Sequence, residues 1–96
     1  MKRFRIDSIF RLENRREFVF AGEIAEGIIE AGMMVRVPLQ EGLYSCIPIL
    51  GIESIRSGVD PKENVGLRFS EESEADAEFY SELCPPGTVV EAGNGD

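Results

Sequence analysis

A chain of 96 residues, 43% hydrophobic and 29% charged, has enough material for one domain with a modest core and too little for two ordinary ones. It has no histidine, which removes the commonest general base, every histidine-dependent triad and every His-ligated metal centre. Its formal charge of -8, from 10 Lys and Arg against 18 Asp and Glu, disfavours long-range attraction of the whole chain to nucleic acid or an anionic bilayer.

The first segment carries Phe4 and Ile6, then Asp7-Ser8, then Ile9 and Phe10, which predicts a strand with a local irregularity. Glu13 to Glu17 is polar enough for a hairpin tip, and Phe18 to Ile24 is the returning strand, rich in aromatic and β-branched residues. Gly27 and Gly32 bracket Ile28 and Ile29, predicting two tight turns around a short extended piece rather than a helix. Val35, Val37 and Leu39 alternate with Arg36 and Pro38, so one apolar row points inward while Pro38 requires an edge or a bulge. Tyr44 to Ile52 is the longest apolar run, and Pro48 and Gly51 within it predict two strand pieces with a kink. Ser57 to Glu63 is the strongest loop signal, and Val65, Leu67 and Phe69 then share one face of a strand. Ser70 to Ala77 is expected outside the core, as a solvated loop or one acidic helical turn; Phe79-Tyr80 and Leu83-Cys84 return to apolar packing. Thr88 to Val90 makes a last strand, with residues 92–96 expected to fray. Ten glycines punctuating about seven short strands predict a single all-β domain over residues 1–96, a small barrel or sandwich.

Charge is distributed unevenly. Residues 1–16 hold six basic residues (Lys2, Arg3, Arg5, Arg11, Arg15, Arg16), whereas residues 69–96 hold eight acidic residues and no basic one. Either the two ends pair within the fold through exposed ion pairs, or a basic patch around Arg15 and Arg16 meets an acidic partner. Cys46 and Cys84, without secretory context, are expected to be reduced core residues. No run approaches membrane-spanning length and none has the form of a signal peptide, so a cytoplasmic protein without membrane attachment is expected.

The segment GEIAEGIIEAGMMVRV, then GIESIR, a loop and ENVGLRF, opened by IDSIFRLENRREFVFAG and closed by LCPPGTVV, resembles the second domain of elongation factor Tu and related translational GTPases across nearly the whole chain. The resemblance implies a small closed antiparallel β-barrel, translation-factor domain-2-like, that packs or binds rather than reacts. The GTPase activity of that family needs a separate domain with a phosphate-cradling Gly-rich loop, and no such loop stands here. The family's glycine-flanked arginine at the first hairpin tip is replaced by Asn14-Arg15-Arg16-Glu17, which alters the loop expected to meet RNA.

No residue pattern implies catalysis, a cofactor or a metal: Asp7, Glu13 and Glu17 read as solvated carboxylates, and the two cysteines lack a zinc spacing. Met33, Met34, Phe18, Phe20, Phe79 and Tyr80 exceed what one barrel interior readily holds. They form either a second minor core beneath the acidic segment or a patch for self-association or partner docking. The expectation is a non-enzymatic interaction module that docks to a protein partner, with Arg15, Arg16, Met33, Met34 and Tyr80 as the contact candidates. An RNA- or ribosome-contacting module using the basic hairpin is the alternative.

Overall fold

Strand β1 (Lys2–Leu12) buries Phe4 and Ile6 completely while Arg3 stays exposed, as the two-residue period of a half-buried strand requires. In this computed structural model, which describes residues 1–54 and 64–94, the alternation reverses at Asp7. The register with β2 (Glu17–Glu26) slips between Ile6 and Ser8, so Asp7 is an extra residue and Ile9 takes the inward position that Ser8 would otherwise hold. Gly22 faces Ile6 across this bulge. A Cβ at Gly22 would fall onto the carbonyl oxygen of Arg5, so the close approach of the two strands needs glycine.

The remaining strands are β3 (Met34–Gln40), β4 (Leu43–Pro48), β5 (Gly51–Ser54), β6 (Val65–Ser70) and β7 (Thr88–Gly93). All pairings are antiparallel, and the sheet runs β4-β3-β7-β1-β2-β6-β5. Its inner face holds one continuous core, with Phe4, Ile6, Phe20, Val35, Val37 and Leu67 all at 0% exposure. Pro38 sits where β3 slips against β4 and beyond the pairing of β3 with β7, so its missing N–H interrupts no ladder on that side. Ala92 and Gly93, expected to fray, lie in β7, where Ala92 pairs with both Lys2 and Val35 and Gly93 with Met34. The predicted loop from Ser57 to Glu63 lies outside the described residues.

The closed barrel expected from the sequence is not formed: β4 and β5 stand at opposite margins of the sheet and no ladder joins them. The reason lies in the short link between them. The Ile49 amide donates to the Met33 carbonyl at 2.8 Å, and the next amide, Leu50, donates to the Arg68 carbonyl at 2.8 Å. The chain thus steps from the β3 side to the β6 side in consecutive residues, leaving β3 as the only strand paired with β4 among the described residues. Gly32, at φ +93, turns the preceding segment so that its own amide reaches the Ile49 carbonyl at 2.8 Å.

The acidic segment, expected outside the core, buries Glu71 at 8% exposure, whereas the residues after it return to apolar packing as the sequence implies. Helix α1 (Asp76–Leu83) packs Tyr80 into the core, and Cys84 just beyond it is 3% exposed. The Tyr80 ring lies against Phe18 at 5.4 Å and Phe20 at 5.9 Å between centroids. Phe18, Phe20, Phe69 and Tyr80 therefore belong to the same cluster as Phe4 rather than to a separate minor core. Asp76 starts the helix: its carboxylate accepts the amides of Glu72 at 2.8 Å and Ser73 at 3.3 Å, a charge favoured near a helix N-terminus.

Candidate docking site

Strand β4 reads Leu-Tyr-Ser-Cys-Ile-Pro and carries no charged side chain. Ser45 and Ile47 point to the core side and are half-buried, whereas Tyr44, Cys46 and Pro48 are exposed on the outer face. The Ser45 and Tyr80 hydroxyls share a hydrogen bond at 2.9 Å, which ties the middle of β4 to α1. The other face is braced by Arg36, whose guanidinium lies 4.2 Å from the centre of the Tyr44 ring. Both are side-chain contacts, and among the described residues the backbone of β4 is paired on the β3 side only.

Edge strands usually carry charge, are very short or are covered, because their unpaired N–H and C=O groups invite another strand. The opposite margin follows that rule: β5 has four residues, and its Glu53 carboxylate meets Arg68 at 3.3 Å and Arg15 at 3.7 Å. β4 has six residues and only Pro48, at its end, as an interruption. Beside it, where the sheet fails to close, lies a slit of about 280 Å³. Phe18, Phe69 and Phe79 supply apolar walls, Ser45 and Ile47 the β4 side, and Glu72 and Asp76 an acidic rim. Phe79 is 48% exposed there.

The residues singled out from the sequence separate in space. Met33 is buried at 7% exposure, its sulfur 3.4 Å from the Glu30 amide. Tyr80 is buried at 8%, and it alone of the group borders the slit. Met34 faces the outer side of the sheet with Arg36 and Cys46, along a shallow hollow of about 330 Å³. Arg15 and Arg16 lie at the first hairpin tip, a turn of 3-10 helix over Glu13–Arg15 that ends with Arg16 at φ 54.

That tip is knitted to carboxylates. Arg11 donates to both oxygens of Glu71, at 2.7 and 2.8 Å, and the Glu71 amide donates to the Arg16 carbonyl at 3.0 Å. The two-point bond from Arg11 holds the Glu71 carboxyl below its ordinary range against the opposing effect of burial, with Arg16 adding attraction. Arg68 donates to Glu17 at 3.0 Å. The uneven charge of the sequence is therefore partly consumed by pairing between the basic hairpin and the acidic segment, with Glu71 the central acceptor.

Cys46 and Cys84 are both free, and burial pushes the Cys84 thiol up. Cys46 is exposed, not part of the core, because its parity in β4 is opposite to that of Ser45 and Ile47. No helix among the described residues is long and apolar enough to cross a membrane. The slit itself was not foreseen from the sequence. Its signal was an uncharged run closed by proline, which points to an edge or a bulge but not to which margin stays unpaired.

No family model matches the chain, and neither a curated protein nor a solved structure matches it. The resemblance of GEIAEGIIEAGMMVRV and ENVGLRF to the second domain of elongation factor Tu is therefore unsupported by homology, and the open order of the sheet departs from the closed barrel it implied. Glycine-spaced strands in similar sequence order account for the likeness without common fold.

Proposed function

We propose that this chain is a non-catalytic interaction module that docks a protein partner along the free margin of β4. The observation that carries this reading is an uncharged strand whose backbone, among the described residues, pairs with a strand on one side only, standing beside an apolar slit. A partner strand added there satisfies a row of backbone donors and acceptors, and the slit takes a side chain from it. Two free cysteines favour a reducing, cytoplasmic setting. The RNA-contacting alternative draws less support, because Arg11 and Arg15 at the hairpin are engaged with Glu71 and Glu53.

Affinity capture from cell extract, run at low and high salt with and without nuclease, tests the reading when paired with Cys46→Lys. Cys46 is exposed and also borders the slit, so a lysine there puts a charge at the edge of β4 without entering the core. The expected result is a protein retained in high salt and after nuclease treatment, and lost with Cys46→Lys. Capture that vanishes with nuclease, or that the lysine leaves untouched, contradicts docking at this margin.

A further inference from the structure

The chemistry of the slit specifies what is added to β4, given the docking reading above. Its volume of about 280 Å³ lies at or below the range of about 300–1,000 Å³ in which small-molecule sites fall, and one wall is a strand edge rather than a closed rim. That combination suits a single large apolar side chain presented by an extended backbone. The rim then sets the charge. Glu72 is exposed and Asp76 half-buried, no basic residue among the described residues lines the slit, and residues 69–96 contain none.

We infer that the occupant is an extended segment of a partner protein in which an apolar or aromatic residue is flanked by lysine or arginine. Its backbone pairs with the free side of β4, the apolar side chain enters between Ile47 and Phe79, and the cations meet Glu72 and Asp76. A second copy of this chain fits less well: its own β4 brings no cation, and pairing two copies sets one acidic rim near another on chains of charge -8. A nucleic acid strand meets the same repulsion from the rim.

The test is fluorescence anisotropy of labelled synthetic peptides on the intact chain. One peptide alternates valine and tyrosine with lysine at its flanks, a second has glutamate for lysine, and a third repeats the first with alternate amides N-methylated to remove the donors that face β4. A uridine oligonucleotide and sedimentation at rising protein concentration complete the set. The lysine peptide is expected to bind at least about tenfold tighter than the glutamate peptide, and N-methylation is expected to abolish binding. Glu72→Lys, on an exposed side chain, is expected to weaken the lysine peptide about fivefold or more with an unchanged melting midpoint. Equal affinity for the two charge patterns, indifference to N-methylation, preferred binding of the oligonucleotide, or concentration-dependent dimers sensitive to Cys46→Lys each overturn the inference. If no peptide binds while captured protein is still lost with Cys46→Lys, the inferred partner chemistry fails and the docking site stands. If Cys46→Lys changes neither, the docking site fails as well.

Discussion

Gly22 and Gly32 are both required by the backbone, but for different reasons, and substitution separates them. At Gly22 a methyl group collides with the Arg5 main chain across the bulge, and main chain in the middle of a paired sheet has little room to retreat. Gly22→Ala is expected to cost about 3 kcal/mol. At Gly32 there is open space, and the strain is only that of φ +93, so Gly32→Ala is expected to cost about 1–2 kcal/mol. Urea unfolding of the two variants reads the order directly. Glu71 supplies a pH signature. Its carboxyl is held below the ordinary value of 4.5 chiefly by the hydrogen bonds from Arg11. Because the folded pKa is the lower one, the stabilisation is complete above the unfolded value and disappears as pH falls through the folded value. Glu71→Gln is therefore expected to lower the melting midpoint at neutral pH, with the gap to the wild type narrowing on acidification. A constant gap across that range contradicts an ionised pair. Neither Gly22's neighbour nor Arg11's partner is legible in the sequence, since each lies across the fold; what is legible is that Asp7 breaks an apolar alternation.

Strands are legible where period two is clean: Val35 and Val37, and Val65, Leu67 and Phe69, are buried together as their spacing implies, but Leu39, read in the same inward row as Val35, is 39% exposed where β3 slips against β4. The acidic segment is less so: the apolar packing at Tyr80 and Cys84 is legible, but the burial of Glu71 depends on Arg11 across the fold. Helix α1 is joined to β4 through the Tyr80 and Ser45 hydroxyls. Tyr80→Phe keeps the ring stack and removes this bond, and is expected to cost about 1 kcal/mol, measured as a shifted denaturation midpoint. The same variant is expected to raise hydrogen exchange in β4 more than in β1 between Lys2 and Ile6, since β4 loses a tether and that part of β1 has strands on both sides. Phe79→Ala, at a half-exposed position on the slit wall, is expected to leave the fold intact while weakening a bound strand.

Closure is a property of the whole molecule, and local pattern does not carry it. The same seven strands in the same chain order can end as a barrel or as an open sheet, depending on which margins meet. Here the outcome turns on two consecutive amides, Ile49 and Leu50, that bond to opposite sides. The charge asymmetry was visible in the sequence, but its consequence depends on placement: Glu71 is spent on Arg11, whereas Glu72 and Asp76 remain at the slit. The most direct measurement is amide hydrogen exchange across β4 in the isolated chain, resolved by residue and compared with β1. A free margin predicts that alternate amides of β4 exchange rapidly while those of β1 between Lys2 and Ile6, a span paired on both sides, are protected, and that the rapid set becomes protected when the captured partner binds. Uniform protection of β4 in the isolated, monomeric chain would show that its edge is already paired, and would contradict docking there.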